Sequence, residues 1–145
     1  MDFPADSLLL RMTLQTQTVL TSDGIKIWLT IYHCGGRTDA AVVICPGFFQ
    51  SKETPTFRRM SQVLARGHDV LCMDFRGHGH SGGLCTFSAR EPWDFEAVLQ
   101  WAAPRYSRIG VLGFSRGAAT AIVTAARHQP LVHSLVAVSA PVAFE

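Results

Sequence analysis

The 145-residue sequence is short of charge, of long apolar runs and of paired cysteines. Only 17% of its residues are Asp, Glu, Lys or Arg, and the formal net charge is +2. That field is too weak to argue for a nucleic acid or an anionic membrane as partner. The longest apolar runs fall far short of the about 20 residues of a membrane span. The start, MDFPADSLLLRM, has acids where a secretory leader has a basic segment, and its apolar run is three leucines, so no signal peptide is expected. Cys34, Cys45, Cys72 and Cys85 form no C-x-x-C pair, and no histidine lies at ligand spacing from a cysteine pair. No metal is expected, and structural, reduced thiols suit a cytoplasmic protein. Low-complexity tracts and internal repeats are missing as well. What is left, with 48% hydrophobic residues, is the composition of a globular chain, one domain's worth at most.

The periodicities divide the chain into alternating elements. After a lead-in over the first ten or so residues, expected to be loose, Met12–Thr18 alternates apolar and polar residues like an antiparallel strand. Thr21-Ser22-Asp23-Gly24 reads as a hairpin turn, and Ile25–His33 as its second strand. Beyond the loop Cys34–Asp39, Ala40–Cys45 is a continuous apolar run, as in a strand buried on both faces. Pro55 opens a helix with Phe57, Met60 and Leu64 on one face, stopped by Gly67. Asp69–Phe75 is the next buried strand and Arg76–Ser88 a glycine-rich loop. Pro92 starts a helix carrying Phe95, Val98, Leu99 and Ala102 on one face, ended by Pro104. A strand and helix follow over Arg108–His128, and Leu135–Val138 is expected to be one more buried strand. A hairpin followed by alternating strands and helices predicts an α/β fold, with a mostly parallel sheet, helices on both faces and right-handed crossovers.

The strongest chemical signal is Gly113-Phe114-Ser115-Arg116-Gly117. It lies between the apolar strand residues Ile109, Val111 and Leu112 and a helix rich in alanine. A serine with glycine two positions before and after it, at a strand-to-helix junction, has the form of a nucleophile elbow. The tight turn forces the serine backbone into a sparsely populated region and lifts its side chain out of the sheet. Gly113 and Gly117 lack a Cβ, so strand and helix can close up beside it. The helix start aims its unpaired N–H groups at the same place, which makes the Arg116 N–H a donor to an oxyanion. A G-x-S-x-G arises by chance in a chain this long roughly one time in twenty, and less often at such a junction. Pro46-Gly47-Phe48 follows the strand expected to lie beside the elbow strand. Ligands bind at the ends of parallel strands, and Gly47 lets the chain turn so that the Phe48 N–H becomes a second donor. Phe48 and Phe49 are expected to line an acyl pocket.

Other motifs carry less. Gly77-His78-Gly79-His80-Ser81-Gly82 satisfies G-x-G-x-x-G. However, no helix follows it directly, and the nearest acids, Asp94 and Glu96, fall on a helix rather than at a strand end, so a dinucleotide site is rejected. Asp74 is expected to hold the backbone N–H groups of this loop. His78 and His80 have no third ligand beside them and read as loop polarity. His33, His68, His128 and His133 offer no partner for Ser115, and His133 precedes the last strand.

Taken together, P-G-F after the third strand, D-F-R-G-H-G-H-S over Asp74–Ser81 and G-F-S-R-G at the elbow resemble the α/β-hydrolases, closest to their esterase, lysophospholipase and serine-aminopeptidase-like branch. The resemblance spans Thr13 to Pro141. It implies a serine hydrolase acting on a carboxylic ester, or a related amide or thioester, through an acyl-serine intermediate. Ser115 is then the nucleophile, with the N–H groups of Phe48 and Arg116 as oxyanion hole, a small acyl compound as substrate and no cofactor. Two residues depart from the pattern: Pro46 stands where a histidine is usual, and Arg116 is long and charged, either to meet an anionic substrate group or to project into solvent. The family's acid and histidine follow its seventh and eighth strands, whereas this pattern stops after six, near Glu145. Residues 1–145 are thus expected to form a single incomplete domain of a hydrolase of about 250 residues, poorly soluble and inactive alone. The alternative is a non-catalytic binding module of the same fold.

Overall fold

The computed structural model describes residues 11–142. The lead-in expected to be loose and Glu145 lie outside the described residues. The chain runs β1 (Thr13–Leu20), β2 (Lys26–His33), β3 (Ala40–Cys45), α1 (Pro55–Leu64), β4 (Asp69–Met73), α2 (Glu91–Ala102), β5 (Arg108–Phe114), α3 (Arg116–Arg127) and β6 (Ser134–Val138). The strands form a single sheet in the order β1-β2-β4-β3-β5-β6. β1 and β2 pair antiparallel from Thr13↔His33 to Leu20↔Lys26, two residues further than the alternation suggested. Their turn is set by Gly24 at φ 84° and by Thr21, whose hydroxyl accepts the Ile25 N–H at 2.8 Å and donates to Asp23. β2 lies antiparallel to β4, and the pairs β3–β4, β3–β5 and β5–β6 are parallel. The expected architecture, an antiparallel hairpin on a mostly parallel sheet, is the one observed.

Strand alternation builds two cores. From β3, Ala41, Val43 and Cys45 face one side, with Leu71 and Met73 of β4 and Phe95, Val98 and Leu99 of α2. From the same strands, Ile44, Val70 and Cys72 face the other side and meet Phe57 of α1. Side chains at successive strand positions point to opposite faces, so a run that is apolar throughout requires cover on both. α2 and α3 supply it on one face and α1 on the other. All four cysteines are free thiols, and burial pushes the Cys72 thiol up to about 12.

Two expectations need correction. β4 ends at Met73 rather than reaching Phe75, whereas α1 closes at Leu64 ahead of Gly67 as expected. β6 is not buried, since Val136 is 57% exposed. It pairs with β5 alone among the described strands, so its apolar residues lie at a sheet edge. No helix among the described residues is long and apolar enough to cross a membrane.

Candidate active site

Register brings the ends of β3 and β5 together. Cys45 pairs with Gly113, so the chain leaving β3 and the chain entering α3 emerge side by side. Ser115 stands at the junction at φ 52° and ψ −119°, a backbone region that side chains rarely adopt, and it is exposed. Its own N–H donates to Val138 O at 2.8 Å, tying the turn to β6, and its carbonyl accepts from Ala119. Both flanking glycines are required by contact. A Cβ on Gly113 would come within 2.7 Å of Ala118 Cα, and one on Gly117 would collide with the carbonyl oxygens of Cys45 and Pro46. Behind the turn, burial pushes the Cys45 thiol well above its ordinary value.

The turn after β3 is braced by side chains. Gly47 N–H donates to Gln50 Oε1 at 3.1 Å, and Gln50 N–H returns to Gly47 O at 3.2 Å. Phe49 sits at φ 58°, and its N–H donates to His78 Nε2 at 3.1 Å. A Cβ on Gly47 would stand 3.4 Å from Ser115 Cβ, which brings this turn against the elbow. Phe48, the residue between the braced amides, lines the adjoining pocket with Phe75, His78, Glu91, Arg116 and Thr120. Phe49 does not line it and is 85% exposed, which corrects the pairing of the two phenylalanines. Its ring packs beside that of Phe48 with centroids 3.8 Å apart.

Arg116 turns inward rather than to solvent. Its guanidinium carbon lies 4.5 Å from the centre of the Phe48 ring and 4.7 Å from that of Phe87, distances at which a cation is attracted to the ring face. Across the pocket, burial raises the Glu91 carboxyl, but hydrogen bonds from Thr86 outweigh it and hold the group below the ordinary range. Glu91 is therefore an anion facing the pocket.

The loop Arg76–Ser88 is pinned at its base. Asp74 is fully buried; it accepts the His80 N–H at 3.0 Å, as expected, and also the Lys52 N–H at 2.6 Å. The Lys52 ammonium lies 3.1 Å from the same carboxylate and reaches His80 Nδ1 at 2.9 Å. Arg76 is clamped between Asp94 at 2.7 Å and Asp23 at 2.7 Å. Burial lowers the Arg76 pKa, but its two carboxylate partners outweigh this and hold it above the ordinary value. The sequence offered Asp74 but not Lys52, Gln50 or the Arg76 clamp, and His78 and His80 prove to be specific partners rather than mere loop polarity. Among the described residues no histidine is hydrogen-bonded to Ser115. His33 pairs with Asp69 and His128 with Glu96, while His68 and His133 sit beside the opposite ends of β3 and β5. No cluster of three metal-ligating side chains occurs among the described residues.

Residues 40–145 match the family described as alpha/beta hydrolase fold. The chain belongs to that family. Among curated proteins, human serine hydrolase BPHL is 30% identical over 110 residues, covering 72% of this chain and 37% of its own. An esterase of Pyrococcus furiosus superposes with a TM-score of 0.84 at 29% identity, covering 98% of this chain and 56% of that one. Brefeldin A esterase, a bacterial homologue of human hormone-sensitive lipase, gives a TM-score of 0.71 at 25% identity, over 93% of this chain and 41% of that one. The chain thus spans little more than a third of BPHL and about half of the first of these esterases.

Proposed function

We propose that the protein is a serine hydrolase that cleaves a carboxylic ester, or a related amide or thioester, of a small acyl compound. The observation that carries this reading is the exposed Ser115 in its strained turn, with the Gly47–Phe48 turn packed against it. Ser115 Oγ attacks the acyl carbon, the carbonyl becomes an oxyanion, and the N–H groups of Phe48 and Arg116 receive it. Loss of one such donor typically lowers the rate by about 10²–10³. A histidine takes the serine proton and returns it to the leaving group, which departs as alcohol, amine or thiol; water then releases the acid. We assign this histidine and its orienting acid to a part of the fold that lies beyond residue 145. The buried free thiols suit a cytoplasmic setting, and the small net charge argues against a nucleic-acid partner.

A fluorophosphonate probe tests the reading. Labelling of Ser115 in the full-length protein, lost in Ser115→Ala, is the expected result, read by peptide mass spectrometry; failure to label a folded, full-length sample overturns it. The second reading, a non-catalytic binding module, is favoured by the lack of a histidine bonded to Ser115 among the described residues. It predicts binding of acyl compounds to the pocket without any covalent labelling.

A further inference from the structure

His78 lines the pocket, yet the chemistry above gives it no part. Its two ring nitrogens meet two different backbone groups. Nε2 lies 3.1 Å from the Phe49 nitrogen, and Nδ1 lies 3.0 Å from Arg76 O. An amide N–H only donates and a carbonyl only accepts, so Nε2 must be bare and Nδ1 must carry the hydrogen. One neutral tautomer satisfies both contacts. Its ring also stands nearly edge-on to Phe48, at 5.6 Å and 67°.

The consequence falls on the Phe48 N–H. A peptide group is planar, so the direction of this N–H follows from that of the Gly47 carbonyl. That carbonyl accepts from Gln50 N–H on one side of Phe48, and the Phe49 N–H is fixed by His78 on the other. Phe49 is at a positive φ, a conformation that a large side chain keeps only when its surroundings hold it there. We infer that His78 is a positioning residue: its bare Nε2, by accepting the Phe49 N–H, keeps the Gly47–Gln50 turn set so that the Phe48 N–H serves the oxyanion formed at Ser115. The inference rests on the hydrolase reading above.

A second proton on the ring would turn Nε2 into a donor facing another donor and release the turn. The charges around the ring come from several elements. Arg116 at the start of α3 and Glu91 at the start of α2 line the pocket with it, while Lys52 and Asp74 meet the neighbouring His80. Cys85 and His80 are the other titratable neighbours on the same loop. The latch therefore opens on the acid side.

Two measurements on the same protein test it. Ring nitrogen NMR should show His78 as the Nδ1–H tautomer, with the Phe49 amide shifting in step as the ring titrates. An Nε2–H tautomer, or a Phe49 amide that ignores the titration, overturns the latch. The rate of Ser115 phosphonylation should fall about 10- to 100-fold in His78→Ala, the scale expected of a displaced reacting geometry. It should stay near the unsubstituted rate in His78→Gln, whose amide oxygen can accept where Nε2 does. As pH falls, the unsubstituted protein should lose rate relative to His78→Gln. Equal rates in all three proteins at every pH would refute the positioning role alone. No phosphonylation of the unsubstituted protein would instead remove the hydrolase reading, and the positioning role with it, while the NMR result still decides whether the hydrogen bond exists.

Discussion

β4 and β6 are both five-residue strands of mostly apolar sequence, Asp-Val-Leu-Cys-Met and Ser-Leu-Val-Ala-Val. Every residue of β4 is buried, whereas four of β6 are exposed and Leu135 is half-buried. Neighbours make the difference. β4 lies between β2 and β3 and feeds a core on each face; among the described strands β6 has β5 alone beside it. Each strand also holds part of the candidate site. The end of β4 leads into Asp74, which pins the loop above with an ammonium and two amides, while the end of β6 holds the elbow by one hydrogen bond. An apolar run therefore states that a strand can be buried, and the topology decides whether it is.

The contrast can be broken at either strand. The largest effect is expected at the end of β4. Asp74→Ala leaves the buried Lys52 ammonium with only the half-exposed Glu53 carboxylate at 3.4 Å and should cost about 3–5 kcal/mol in urea unfolding; a loss below 1 kcal/mol would show that the loop is held by other means. Within the strands, Leu71→Ala should cost about 2–5 kcal/mol through lost burial and the cavity left. Val136→Ala should stay within about 0.5 kcal/mol, as exposed positions do. Equal losses at the two positions would contradict the burial contrast.

Acid provides a subtler probe at the start of β4. Burial raises the Asp69 carboxyl, but the Tyr106 hydroxyl at 2.7 Å, the Cys34 N–H and His33 outweigh it and leave the group below its ordinary value. The folded state then holds this proton more weakly than the unfolded chain. Its stabilisation is complete above the ordinary carboxylate value of about 4 and is lost as pH falls through the folded value. The thermal midpoint of Asp69→Asn should accordingly decline less steeply than that of the unsubstituted protein between about pH 5 and pH 2. An identical slope would assign the acid sensitivity to another group. In residues 1–145 alone, the smallest effect on stability is expected from Val136→Lys, since a charge on an edge strand discourages pairing between chains. Light scattering should show less self-association with little change in melting temperature.

What the sequence disclosed follows the range of the interactions involved. The elbow is legible because its demands are local: Gly113, Ser115 and Gly117 meet them within five residues. The hairpin and the alternation of strands and helices are legible for the same reason. The braces of the site were not. Lys52 meets Asp74 across 22 positions, Arg76 meets Asp94 across 18, and Phe49 meets His78 across 29. Nothing in the sequence around Lys52 marks it as a buried cation, and a histidine in a glycine-rich loop gives no sign of which backbone N–H it will accept. The apolar pattern of β6 reads as buried because such a pattern describes a segment and not its neighbours, whereas the count of six strands in the family's order already marks β6 as an edge.

The hydrogen bond from the Ser115 N–H to Val138 O gives the molecule an internal gauge. Amides exchange with solvent at the rate their weakest tether opens, and this one is anchored on the least covered strand of the sheet. The Ser115 amide should therefore keep time with the fraying of β6 rather than with the global unfolding that governs Leu71 and Met73. Whatever covers the outer side of β6 would slow the clock at the serine, several residues away from anything it touches.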